Sequence, residues 1–468
     1  MTTIADLFDH INKKSFKGNL EIVNEIKSVN CKEWEAERKY LEMVEGKRFP
    51  MATRYYVKIK NLDGIKAEGH YHTGHIDFRS ISPSISDAFL PIPRKERFYV
   101  TCQKSYKSDD PFNPTVLTVP YATPTREFSF CSPASMWIVL TTLSYEFGKE
   151  YLSLVAINNC LSNKSAGGAV ELKEYNKLFN NFNYSPNYYL GKKKQEYYEA
   201  CEGQISKCEK NDPDCSIGSF YWMYRETQED INELLLDWEV LYAYIESEIP
   251  VYLVFKWNDL RKRLNCGKPD EDYHSVVAIG HTLDEKSNVS NFIIHDVSCA
   301  PFLEIPKDMI DNELYEALVI LPSDVTIRYE KVQIILSKII KMYNTIFDTI
   351  LEGGSKLFSR PFLMRSQRIK FWYMNNIYPT EVREMYSKAD FPPYVWVFEI
   401  RTPKLKEKDR CIGQIIIDAT KPEESMGLVL MNFPKFRLWY ENKVMMEPPI
   451  EKAAFEDLPL FRDRLAIK

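Results

Sequence analysis

The sequence has no apolar run approaching the roughly 18 residues that a membrane-spanning helix needs, so a soluble chain without a membrane segment is expected. It has no excess of one charge. Lys+Arg number 61 against 66 Asp+Glu, for a net charge of −5, and the two signs are interspersed, which speaks against a nucleic-acid partner held by bulk electrostatics. It has no phosphate-binding glycine loop, nucleotide motif or internal repeat, and no cofactor is expected. Met1 does not open a charged, apolar, small-residue leader, and the ten cysteines show no pairing pattern, so a reducing cytoplasm is the expected location. Metal sites are weakly signalled. His70, His72 and His75 cluster near a strand without a cysteine or carboxylate pattern. Cys201, Cys208 and Cys215 recur at seven-residue steps, whereas structural zinc sites prefer gaps of two to four within a pair, so no metal is assigned.

What is present is ample core. With 468 residues, of which 44% are hydrophobic, the chain predicts a globular protein of two or three domains and α+β class. Residues 1–97 read as an N-terminal extension. There Leu7, Phe8 and Ile11, then Leu20, Val23 and Ile26, then Leu41 and Val44 suggest short helices, and Arg54–Lys60 a strand. Residues 98–324 form the central domain, interrupted by a polar insertion over 191–228. Within it Phe98–Cys102, Val116–Val119 and Ile249–Phe255 read as strands, and Tyr151–Leu161, Leu172–Phe179 and Ile231–Glu246 as helices. Residues 325–468 read as a separate α+β module: a helix with an apolar seam from Val332 to Ile350, ended by Gly353-Gly354, then strands at Tyr394–Thr402, Cys411–Asp418 and Gly427–Met431. The seam or the strands offer a surface for a protein partner.

One stretch carries chemistry. In Glu127–Leu140 a single cysteine, Cys131, stands where a turn becomes a helix. Ser132 suits the N-cap and Pro133 the first helical position, where its missing N–H costs the helix nothing. Ala134, Met136, Trp137, Ile138, Val139, Leu140 and Leu143 leave almost no polar face, which predicts a helix buried all round. A thiol at its N-terminal end meets the positive end of the helix dipole, which favours the thiolate. Free cysteines are more often small core residues, so the assignment of Cys131 as nucleophile rests on finding a base and an orienting carboxylate.

Both occur in a predicted hairpin. Tyr273–His281 and Asn291–Val297 read as its strands, with turn residues at Asp284–Asn288. A turn centred on Glu285 sets His274 opposite Asp296 on one face, close enough for imidazole and carboxylate to hydrogen-bond. A slip of two residues would keep the face and make the pair diagonal. The rival bases His281 and His295 fall on the other face. In this reading Asp296 orients the imidazole, His274 takes the thiol proton and later protonates the leaving amine, and Cys131 attacks an acyl carbon. His274 follows Cys131 by roughly 140 residues, within the about 130–150 that separate the two in papain-type enzymes.

Cys131-Ser-Pro-Ala-Ser135 resembles the Cys-Gly-Pro-Ala-Ser of papain-like cysteine peptidases, and especially of the double-glycine leader peptidases that mature bacteriocins and their free-standing relatives. His274-Ser-Val-Val-Ala-Ile-Gly280 and Ile294-His-Asp296 resemble that family's His-Phe-Val-Val strand and the strand ending in its orienting Asp. The resemblance covers about Phe98–Leu321. It implies a papain-like fold, a bacterial protein, a protein or peptide substrate, and a Cys131, His274, Asp296 triad. The chain departs from the family at Ser132, where a Gly is usual, and at Thr125, in place of the glutamine that supplies an oxyanion-hole amide. Gln103 is the nearest upstream substitute. A transglutaminase-type acyltransferase, which shares the Cys, His, Asp order, and a catalytically silent papain-fold binding protein are the alternatives.

Overall fold

The N-terminal helix shows how locally the chain's boundaries are set. Thr3 and Asp6 close a reciprocal capping box at its start, and Lys17 in the left-handed region followed by Gly18 at φ +82° ends it. The structure, a computed structural model, describes residues 3–29, 52–60, 72–79, 85–107, 115–123, 131–147, 157, 175–196, 235–256, 260, 263–264, 273–286, 288–342, 362–365, 393–401, 411–420 and 428–431. In chain order the elements are α1 (Ile4–Phe16), β1 (Leu20–Val29), β2 (Ala52–Ile59), β3 (Gly74–Arg79), β4 (Ile85–Leu90), β5 (Phe98–Val100), β6 (Lys104–Lys107), β7 (Thr115–Tyr121), α2 (Cys131–Phe147) and α3 (Asn176–Asn181). There follow β8 (Tyr184–Leu190), α4 (Trp238–Glu246), β9 (Val251–Lys256), β10 (Tyr273–Leu283), β11 (Val289–Asp296), β12 (Ala300–Pro306), α5 (Lys307–Glu313) and β13 (Leu314–Pro322). The last are α6 (Tyr329–Met342), β14 (Phe362–Arg365), β15 (Tyr394–Arg401), β16 (Cys411–Asp418) and β17 (Leu428–Met431). The class is α+β with antiparallel sheets.

The chain divides into two units, Met1–Leu321 and Pro322–Lys468. The first holds two sheets, of order β1-β2-β3-β4-β7-β6 and β12-β11-β10-β9-β13-β8. Strand β10 is the longest strand of the second sheet. One of its edges pairs with β11, while the other is shared by β9 along its first half and β5 along its second. At the β5 crossing a Cβ on Gly280 would lie 2.2 Å from the Tyr99 carbonyl oxygen, so only glycine allows that approach. Because β4 pairs with β7, the first sheet runs across the boundary expected at residue 97. The second unit carries α6 and the sheet β14-β15-β16-β17, and Trp396 donates its indole N–H to the Ile327 carbonyl at 2.9 Å.

Two expected helices are corrected. Leu20–Val29 is strand β1, not a helix. Its β-branched residues favour the pleated ladder with β2, and bulges between Ile22 and Asn24 and between Ile26 and Val29 break the two-residue alternation, giving apolar steps of three that imitate a helical period. Helix α4 starts at Trp238, since the Asp237 carboxylate accepts from Val240 N–H at 2.8 Å and caps it there, while Leu235 bridges to Leu190. Leu41, Val44, Tyr151–Leu161 apart from Ile157, the Cys201–Cys215 series, Tyr343–Ile350 and Gly353-Gly354 lie outside the described residues. Among the described residues no helix is long and apolar enough to cross a membrane.

Candidate active site

Helix α2 begins with Cys131 itself, one residue before the expected cap, so Ser132 and Pro133 lie in its first turn. Proline is tolerated there because first-turn N–H groups have no partner within the helix. Ser132 is not the cap. Its hydroxyl receives a hydrogen bond from the Tyr252 hydroxyl at 2.7 Å and shares another with the Tyr175 hydroxyl at 2.8 Å. Ala134, Met136, Trp137, Ile138, Val139, Leu140 and Leu143 are all buried, as their spacing demanded, and the helix packs mainly on β10. Burying each large side chain of this set contributes about 1.5–3 kcal/mol, which anchors the helix axis and with it the thiol at its end.

The hairpin register sets the base. Asp284 closes a loop by accepting from the backbone N–H of Lys286 and of Asn288, each at 2.8 Å, so the turn centres one residue later than expected. The pairs nearest His274 are displaced by two residues: Val277 faces His295 instead of Ile293, and Ala278 faces Ile294. His274 and Asp296 are therefore diagonal neighbours, and the imidazole spans the diagonal with Nε2 at 2.9 Å from Asp296 Oδ1. That oxygen also accepts from Ser298 N–H at 2.9 Å and Cys299 N–H at 3.1 Å, which ties the carboxylate to the turn that follows β11. His274 is 2% exposed and Asp296 0%. Cys299, in the same turn, is disulfide-bonded, which the reading of a reducing compartment did not anticipate.

The half-buried Cys131 thiol hydrogen-bonds the His274 side chain, and because Nε2 is held by Asp296, Nδ1 is the ring nitrogen left to face the sulfur. Burial opposes ionisation of Cys131. The hydrogen bond and charge of His274, with hydrogen bonds from the Ser275 hydroxyl and backbone, outweigh it and hold the thiol below its ordinary value. Burial likewise opposes the charged imidazole, but Asp296 by its charge and hydrogen bond, reinforced by Cys131, raises His274 to about 9. Each group favours the charged form of the other, so the arrangement favours a thiolate–imidazolium pair backed by a carboxylate. A pair of this kind can attack an acyl carbon and return a proton to a leaving group.

The rival histidines are held elsewhere. His281 Nε2 lies 2.6 Å from Glu246 Oε1 on α4, and its ring is stacked on Tyr99. His295 accepts from Phe302 N–H through Nδ1 at 3.1 Å, and burial pushes it down to about 3. His72 and His75 pack on Tyr56, with ring centroids 4.4 Å and 6.4 Å away, while His70 lies outside the described residues. No group of three metal-ligating side chains is placed to hold an ion among the described residues. Gln103 stands half-buried between β5 and β6, and Thr125 lies outside the described residues.

The sequence reading missed Ser275, which touches the thiol, and Tyr252. Burial, then the negative charge of Cys131, raises the Tyr252 phenol far above its ordinary range, so it remains a donor to Ser132. A signal existed for both: a tyrosine in an otherwise apolar central strand needs a partner for its hydroxyl, and Ser275 adjoins the base. Comparison with protein-family models, curated proteins and solved structures finds no match to this chain. The class rests on the fold and site alone: an α+β protein bearing a buried cysteine–histidine–aspartate constellation.

Proposed function

We propose that the protein is a papain-like cysteine peptidase that cleaves a peptide or isopeptide bond with Cys131 as nucleophile, His274 as general base and acid, and Asp296 as the orienting carboxylate. The single observation that carries this reading is the continuous hydrogen-bonded chain from the Cys131 thiol through the His274 ring to Asp296, with the thiol lowered and the imidazole raised. A helix with cysteine at its head, packed on an antiparallel sheet that carries the histidine and aspartate, also supports it, because that is the arrangement the resemblance to papain-like peptidases implies.

The steps follow from the charges. The thiolate attacks the carbonyl carbon, and the C=O electrons move to oxygen. The oxyanion is met by first-turn N–H groups of α2, which have no partner within the helix. As the oxyanion collapses, the C–N bond breaks and His274 gives its proton to the leaving amine. A water then attacks the thioester while His274 takes a proton from it. Collapse releases the free acid and regenerates the thiolate–imidazolium pair.

The test is an activity-based electrophile followed by product analysis. Labelling should map to Cys131, vanish in Cys131→Ala, and accompany release of a free acid from peptide substrates. Transfer to an added amine in place of water would establish the transglutaminase-type alternative. A protein inert to the electrophile at every pH would leave the silent binding protein.

A further inference from the structure

Asp296 is held from behind by the turn that follows β11, and that turn is held by the N-terminal helix as well as by the disulfide at Cys299. Two of the three hydrogen bonds to Asp296 Oδ1 come from the N–H groups of Ser298 and Cys299. The carbonyl of Cys299 accepts from His10 Nε2 on α1 at 2.9 Å. One residue pair further on, the buried Ser15 hydroxyl donates to the Pro301 carbonyl at 2.5 Å, and Phe16 packs edge-on against Phe302 with centroids 5.8 Å apart. Phe302, near the start of β12, has φ +53°, a strained value for a bulky residue, and its N–H bonds His295, so the strand leaving this turn has a conformation that its neighbours must enforce. Helix α1 is in turn fixed to the first sheet, because the Asn12 amide both donates to the Leu20 carbonyl at 2.9 Å and accepts from its N–H at 2.8 Å.

We propose that α1 is a positioning element for the site, with His10 and Ser15 acting on Asp296 through the turn 296–302. It rests on the catalytic reading above and extends it to residues far from the thiol in sequence. The contact from His10 holds the Cys299–Ala300 peptide; the adjoining peptide, one Cα back, carries the Cys299 N–H that, together with the Ser298 N–H, sets where the carboxylate sits against His274. The charged and hydrogen-bonding groups acting on His274 are Asp296 and Cys131, and the Tyr121 hydroxyl donates to the Asp296 backbone carbonyl at 3.1 Å. The turn is the hydrogen-bonded route from α1 to the carboxylate, so a change in His274 on altering α1 reports on it.

The test uses the full chain and follows the His274 ring by NMR titration, which needs no substrate. His10→Ala and the double variant with Ser15→Ala should lower the His274 pKa from about 9 by half a unit to one unit. At pH 10 this should reduce kcat by about threefold to tenfold with KM unchanged. His10→Gln, which keeps a side-chain N–H within reach of the carbonyl, should recover most of the shift. Lys13→Ala, which breaks only the exposed ion pair with Asp9 on the same helix, should change nothing. If Ser15→Ala prevents folding, the exposed His10 still carries the test. A folded His10→Ala protein whose His274 titrates as in the parent overturns the proposal. A shifted His274 in a protein whose Cys131 never reacts with electrophiles overturns the catalytic reading instead and leaves the link from α1 to Asp296 standing.

Discussion

At the scale of residues the chemistry reduces to who holds His274. Its folded value of about 9 exceeds the ordinary 6.5, so this group stabilises the fold fully below pH 6.5 and loses that contribution as pH rises through 9. The lowered thiol acts in the other direction, its contribution fading as pH falls through its folded value. Alkylation of Cys131 by iodoacetamide should therefore be half-maximal below the roughly 8.5 of a free thiol, with the fully buried Cys102 unlabelled in the native protein. Peptide mass spectrometry across pH reads both. Turnover should form a bell whose acid limb follows the thiol and whose alkaline limb follows His274 near 9. His274→Ala should abolish turnover, and Asp296→Asn should reduce it by less than the roughly 10⁴ seen in a serine triad, since a thiol ionises more readily. His281→Ala should keep most activity because its partner is Glu246. Kinetics on variants with unchanged circular dichroism would decide.

His295 supplies the opposite sign. It remains neutral in the fold down to about 3 while the unfolded chain protonates it near 6.5. Stability is then lost as pH falls below 6.5, at up to about 1.4 kcal/mol per pH unit. Urea unfolding at pH 6.5 and 5.0 should show about 2 kcal/mol of this loss in the parent and its absence in His295→Gln. An equal loss in both would place the acid sensitivity elsewhere.

At the scale of elements, β10 decides the geometry, because its start carries His274 and Ser275 while its far end is clamped between β11 and β5. Gly280→Ala would drive a methyl group into the Tyr99 carbonyl and force β5 away. The expected cost is about 1–3 kcal/mol, read as a lowered Tm. The strands and helices of this unit were legible to different degrees. The two strands of the hairpin and the buried helix α2 have long, unambiguous apolar patterns. Strand β1 did not, since its bulges replace a period of two with steps of three. The start of α4 was hidden because apolar residues continue upstream of Asp237, and only the capping contact to Val240 marks the boundary.

At the scale of the whole molecule, the site lies within the unit Met1–Leu321, with Cys131, His274, Asp296 and α1 all belonging to it. A protein ending at Leu321 should therefore keep the acid-shifted reactivity of Cys131, and iodoacetamide labelling at pH 6 measures it. Loss of that reactivity in a folded truncated protein would show that Pro322–Lys468 supports the site. The residue types and the order Cys131, His274, Asp296 were determined by the sequence, because a cysteine at a helix head and a histidine and aspartate on paired strands follow from local patterns of period 3.6 and period 2. Which carboxylate oxygen meets which ring nitrogen was decided only in three dimensions. The Asp284 loop shifts the register by two residues, Ser132 turns from cap to partner of Tyr252, and α1 reaches the turn behind Asp296 across more than 280 residues of chain. Contacts of that kind depend on where separate elements come to rest, and no local propensity encodes them.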